Sequence, residues 1–107
     1  MKSGRSWGRL GMKYNLDKRV EDDIIKIAKK DGIKKVILFG SRARGTNTER
    51  SDIDLAVSGG DILNFYFDVE EETWTLLMFD VINLDKKISD ELQAEIERDG
   101  IVLYEEV

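Results

Sequence analysis

The stretch VILFGSRARGTNTERSDIDLAV, residues 36–57, constrains this chain more than any other. It reads as an apolar strand, a tight turn carrying Gly40 and Ser41, a polar loop, and a second strand carrying Asp52 and Asp54. Side chains on a strand alternate between faces, so Asp52 and Asp54 share one face while Ile53 and Leu55 take the other. Two ionised carboxylates at that spacing repel each other. A cation between them removes the cost, and unpaired carboxylates in a segment that otherwise reads as buried are expensive. The Gly-Ser turn at the preceding strand end, followed by Arg42 and Arg44, offers a cradle for an anion. Each arginine can reach a phosphate or simply stand in solvent. Carboxylates that hold a cation beside a phosphate cradle are the parts needed to bind a magnesium nucleotide.

Composition narrows the chemistry. The 107 residues include no cysteine and no histidine. Disulfides, thiolate metal sites, Ser-His-Asp triads and histidine-ligated zinc are therefore excluded. What remains is carboxylates, hydroxyls, Lys, Arg and a borrowed metal. A chain of this length makes one domain. No apolar run approaches a membrane span, and with no signal peptide in evidence a cytoplasmic location is expected.

The net charge of −5 is unevenly spread. Residues 1–51 carry fourteen Lys/Arg against six Asp/Glu, and residues 52–107 carry three against sixteen. An acidic total argues against direct nucleic-acid binding, which needs many phosphate contacts. Either the asymmetry is a solvated surface, or it provides a basic side for phosphates and an acidic side for a basic protein partner.

Residues 1–11, MKSGRSWGRLG, lack periodicity, and a second methionine follows at Met12. They read as a leader, either a cloning remnant or a disordered tail, ahead of a domain over 12–107. Residues 15–30 have the helical stripe Val20, Ile24, Ile27, Ala28, with Asn15 or Asp17 as cap and Gly32 as stop. Residues 34–39 form a strand apolar on both faces. A helix is expected over 61–73, apolar nearly all round, with an acidic cluster at Glu70, Glu71 and Glu72. A third strand is expected over 76–84, with Asp80 the one charge inside its apolar run. A helix over 89–98, capped by Ser89, and a closing strand over 101–104 complete the order. The result is an α/β (α+β) sandwich: a small mixed β-sheet with helices packed on it.

Gly40-Ser41, ten residues, then Asp52-x-Asp54 resembles the signature of the DNA polymerase β nucleotidyltransferase superfamily. The wording GSRARG…SDIDLAV resembles its smallest members, the minimal nucleotidyltransferase (MNT) domains. The resemblance covers residues 13–107, but its specificity lies in residues 40–57. It implies a nucleotidyltransferase core in which Asp80, on the neighbouring strand, completes a catalytic and metal-binding trio with Asp52 and Asp54. It implies that Gly40 and Ser41, with Arg42 and Arg44 beside them, bind nucleotide, and that two Mg²⁺ ions act with a nucleoside triphosphate, ATP by family default. The reaction implied is transfer of a nucleoside monophosphate to an acceptor hydroxyl with release of pyrophosphate. Larger relatives hold the acceptor with an added helical domain, for which this sequence has no room. The resemblance therefore also implies a partner, a helical HEPN-domain protein, in a toxin–antitoxin pair whose nucleotidyltransferase adenylylates the toxin. Two other readings follow from the same residues: an antitoxin that acts by binding alone, and a transferase acting on a small molecule or a nucleic-acid end.

Overall fold

A computed structural model describes residues 14–106; the leader expected at 1–11 lies outside them. Among the described residues the order is α1 (Lys18–Lys30), β1 (Lys35–Phe39), α2 (Ser41–Arg44), β2 (Ile53–Ser58), α3 (Ile62–Glu72), β3 (Phe79–Asn83), α4 (Asp90–Asp99) and β4 (Ile101–Glu105). The four strands form one sheet in the order β3-β2-β1-β4. β1 runs antiparallel to both β2 and β4, and β2 is parallel to β3. The sheet is mixed, as expected, and α3 is the crossover that a parallel neighbour requires.

Local chemistry sets the element ends. Asp17 caps α1, its carboxylate accepting from the Arg19 N–H at 2.8 Å. Gly32, at φ 73°, takes the left-handed turn that stops it. Ser89 caps α4 by accepting from the Leu92 N–H at 3.1 Å. No helix among the described residues is long and apolar enough to cross a membrane.

Two apolar clusters lie on opposite faces of the sheet. Val20, Ile24, Ile27 and Ala28 of α1 pack with Phe65 and Val69 of α3 onto Val36, Leu38, Leu55 and Val57. The smaller cluster joins Ile96 of α4 to Phe39 and Ala56. β1 is thus covered on both sides, which is why its sequence does not alternate. Leu38 and Leu55 have no exposed surface, and removing either side chain costs about 2–5 kcal/mol.

The third strand begins later than its sequence suggests. Leu76, Leu77 and Met78 are as apolar as the strand they precede, yet β3 starts at Phe79. Side chains satisfy this segment's backbone in place of a full ladder. Thr73 Oγ1 donates to the Val69 carbonyl at 2.7 Å, Leu77 N–H donates to Thr75 Oγ1 at 3.0 Å, and Phe79 N–H donates to the Glu70 carboxylate at 3.1 Å. Glu70 is therefore a structural acceptor and not only part of a solvated acidic cluster. Leu77 reaches the core, while Leu76 and Met78 point into solvent.

Candidate active site

β1 ends on Phe39, whose antiparallel partner on β2 is Asp54. The next residue, Gly40, has φ 79° and ψ −158°, backbone open to glycine and strongly disfavoured for any other residue. A β-carbon on Gly40 would also overlap Asp54 Oδ2. Glycine is required twice over: for the turn itself and for the carboxylate that lies against it.

Across the sheet, Asp54 is the direct parallel partner of Asp80 on β3. Asp52 lies just ahead of β2, not within it as the sequence suggests, and its charge still reaches Asp54. Asp54 and Asp80 therefore share the sheet face on which α4 packs, with Asp52 at the entry to β2. Asp52 and Asp80 are exposed, and Asp54 is partly buried between them. Burial pushes the Asp54 carboxyl up to about 6, aided by the charges of Asp80, Asp52 and Glu95, while Arg44 opposes the shift. Among the described residues no three carboxylates converge closely enough to close around a metal ion. The register sets Asp54 level with Asp80 without drawing the three side chains to one point. The donor set still suits a hard cation, since it is all oxygen and already strained by its own charge.

Ser41 opens α2, and its carbonyl accepts from the Thr46 N–H at 2.9 Å. Its hydroxyl has no hydrogen-bond partner among the described residues. Arg44 stays near the carboxylates: Nη1 lies 3.1 Å from Asp99 Oδ2 and 3.6 Å from Glu95 Oε2, both on α4. Asp99 is held below the usual carboxylate range, by Arg98 first and Arg44 second.

Arg42 departs from its expected position at the cradle. It is 6% exposed, and its guanidinium is spent on three backbone carbonyls. Nε donates to Ser51 at 3.1 Å, Nη1 to Asn15 at 3.1 Å and Nη2 to Glu49 at 3.3 Å. The planar fork ties the loop between α2 and β2 to the segment ahead of α1, and its two remaining N–H groups are buried with it, away from a phosphate in the cradle. The sequence missed Glu95, which adds to the negative field at Asp54. No signal marks it, since a partly exposed glutamate on an amphipathic helix is ordinary.

Comparison with known proteins follows the same residues. The family model described as "Polymerase beta, Nucleotidyltransferase" matches residues 22–107. A Methanocaldococcus jannaschii protein, whose name describes it as a protein adenylyltransferase, is 37% identical over 81 residues, 67% of this chain and 79% of its own length. A toxin–antitoxin crystallised with AMP-PNP superposes with a TM-score of 0.67 at 24% identity, covering 84% of this chain and 74% of that one. A mutant of the MntA-HpeT toxin–antitoxin gives 0.65 at 22% identity, covering 79% and 73%. At these identities the two solved structures bear on the fold.

Proposed function

Because this chain belongs to the polymerase beta nucleotidyltransferase family, we propose that it moves a nucleoside monophosphate, AMP from Mg-ATP, onto a hydroxyl of a partner protein. The single observation that carries this reading is Asp54 in register with Asp80 and against the Gly40 turn, with Asp52 just ahead of the same strand. A crowded set of carboxylates costs stability, and a chain gains by keeping it only where a cation and a polyphosphate are to be bound.

In this reading Asp52, Asp54 and Asp80 would hold Mg²⁺. When bound, the ion supplies neutralisation of the triphosphate and a lowered pKa for the attacking hydroxyl. The Gly40 turn, with no side chain to obstruct it, admits the phosphates, and the free Ser41 hydroxyl donates to one of their oxygens. Arg44 balances the developing negative charge from the α4 side. The acceptor oxygen bonds to the α-phosphorus as the α–β anhydride bond breaks. Pyrophosphate leaves, and the hydroxyl proton passes to Asp80 at the open side of the site. Positioning and charge compensation supply most of the rate in such transfers, which suits a site without histidine.

The partner proposed is a helical toxin of the HEPN type, and this chain is the antitoxin of the pair. Support comes from the adenylyltransferase name of the 37%-identical relative and from the toxin–antitoxin assemblies that share the fold. The nucleotide in one of those assemblies is an ATP analogue, which favours adenine. The reaction belongs with this reading in the cytoplasm, where nucleoside triphosphates and Mg²⁺ are abundant. The same fold and partner also serve a second reading, an antitoxin that acts by binding alone and needs no bound nucleotide.

Thermal unfolding with and without Mg-ATP separates the two. Ligand at a hundredfold over its Kd stabilises a fold by about 2.7 kcal/mol, a shift on the order of 10 °C for a domain of this size. The transferase reading expects that shift in the wild type and its loss in Asp52→Asn/Asp54→Asn. It also expects the partner to gain the mass of adenylate. A well-folded protein that neither shifts nor modifies its partner supports the binding-only reading.

A further inference from the structure

Two arginines converge on one carboxylate at the end of α4. Arg98 holds both oxygens of Asp99: Nε lies 3.2 Å from Oδ1 and 3.3 Å from Oδ2, and Nη2 lies 2.9 Å from Oδ2. Arg44 reaches the same Oδ2 from α2, 55 residues away along the chain, with Nη1 alone at 3.1 Å. The Asp99 side chain is only 12% exposed, against 67% for Arg98 and 40% for Arg44. A carboxylate in the last turn of a helix is opposed by the helix dipole, which favours cations there. Helix stability therefore does not explain an aspartate as the last residue of α4. Arg98 alone already serves both of its oxygens, so the contact with Arg44 is surplus to the needs of Asp99.

The backbone fixes where that contact stands. Gly100 follows Asp99, and Ile101 then pairs with Leu38 of β1, two residues before Gly40. On the other side, the Arg44 N–H donates to the Gly40 carbonyl at 3.1 Å. Both ends of the contact are thus anchored to the strand end that carries the Gly40 turn. The charge of Arg44 also acts on Asp54. Arg44 Nε and Nη2 make no hydrogen bond among the described residues. A long, partly exposed side chain with free donors samples many rotamers unless one end is held.

We propose that Asp99 is a positioning residue: by holding Nη1 of Arg44, it presents the free Nε and Nη2 donors to the phosphates beside the Gly40 turn. The proposal deepens the transferase reading and rests on it. Arg98 is the part that makes the arrangement work. A lone Asp99 would compete with phosphate for Arg44. With both oxygens already paired to Arg98, it orients Arg44 through one N–H and leaves the rest of the guanidinium to the ligand. An arginine held in advance loses less conformational entropy when phosphate binds.

The sign of the effect separates this role from the alternatives. Asp99→Asn removes a negative charge near the site. Long-range electrostatics alone, or competition between Asp99 and phosphate for Arg44, would then tighten the binding of an anionic nucleotide. Positioning requires the opposite.

The test titrates the full chain with Mg-ATP by calorimetry, as a double-mutant cycle over Asp99→Asn and Arg44→Ala. Asp99→Asn is expected to weaken binding about tenfold, and to cause no further loss in the Arg44→Ala background. Asp99→Glu, which keeps the charge, recovers most of the affinity. Glu97→Gln removes a charge from the same helix without touching Arg44, and binds within about twofold of wild type. A second readout needs no nucleotide: in ¹⁵N-arginine-labelled protein the Arg44 Nε–Hε signal is that of an ordered side chain, and Asp99→Asn mobilises it. Equal or tighter binding by Asp99→Asn would overturn the proposal. So would an equal loss in the Arg44→Ala background, which means that Asp99 acts on the fold or the field and not through Arg44. If Asp99→Asn does not fold, the wild-type signal decides, and an Arg44 as mobile as an unpaired surface arginine overturns the proposal. A wild type that ignores Mg-ATP removes the transferase reading and the proposal with it. A responsive wild type beside an equally responsive Asp99→Asn removes the proposal alone.

Discussion

Gly40 and Asp54 occupy one another's space: the carboxylate of Asp54 lies where a β-carbon on Gly40 would stand. The turn that ends β1 and the central acid of β2 are thus a single steric unit, closed by the pairing of Phe39 with Asp54. The separation of the Gly-Ser turn from the Asp pair along the chain is the length of α2 and the loop that carries the backbone from one to the other.

Replacing Gly40 by alanine should therefore act on fold and site together. Backbone strain at this φ costs about 1–3 kcal/mol, and the new methyl must also displace Asp54. We expect a fall in Tm on the order of 10 °C and loss of the Mg-ATP shift, both read in one thermal unfolding series. A Gly40→Ala protein with wild-type Tm and intact response would show that the overlap relaxes freely.

Asp54→Asn should stabilise the metal-free protein while removing its nucleotide response. The carboxyl sits at about 6 in the fold, against about 3.9 in an unfolded chain. The fold binds that proton more tightly than the unfolded state does. Its contribution is therefore greatest below pH about 4 and is lost as pH rises through about 6. In EDTA at neutral pH the variant should melt a few degrees higher than wild type. The difference between the two proteins should shrink as pH falls through that window. A variant that melts lower at neutral pH would contradict the crowding at Asp54.

Arg42 and Arg44 should separate cleanly. Arg42→Lys replaces a fork serving three carbonyls with a single ammonium, and loses at least about 2 kcal/mol. Nucleotide affinity of the folded fraction should stay within a few-fold. Arg44→Ala breaks exposed pairs with Glu95 and Asp99 and costs no more than about 1 kcal/mol. Its effect should fall on nucleotide affinity. Melting curves and nucleotide titrations of both variants decide this, and the reverse pattern would return Arg42 to the phosphate cradle.

Glu70→Gln should loosen the entry to β3. Its carboxylate accepts the Phe79 N–H, and an amide oxygen is the weaker acceptor. Amide exchange at Phe79 is expected to speed up about tenfold, with global stability lowered by about 1 kcal/mol or less. Unchanged exchange would mean that the strand itself holds that amide.

Much of the architecture was legible because it is written in local periodicity. The stripe of Val20, Ile24, Ile27 and Ala28 follows from helical geometry, and all four are buried. The caps Asp17 and Ser89 follow from the unsatisfied donors at any helix start. Ile53 and Leu55 alternate with Asp54 as the strand period requires, whereas Asp52 falls one residue short of the strand. The start of β3 was not legible, because Leu76, Leu77 and Met78 look like strand to any reading of hydrophobicity. Their partner strand begins only at Ile53, opposite Phe79, and the Phe79 N–H turns instead to the Glu70 carboxylate nine residues back along the chain.

Family, order of elements and the residue types available for chemistry can all be read along the chain, since spacing and composition are properties of a line. Which of two neighbouring arginines faces the site cannot, because that depends on three carbonyls contributed by Asn15, Glu49 and Ser51. The folded chain also sets Asp80 level with Asp54, and brings Glu95 on α4 into the field of that carboxyl. Each of these relationships joins residues from different elements. Strand register and packing on the sheet fix them, and none is a local property of the residues involved.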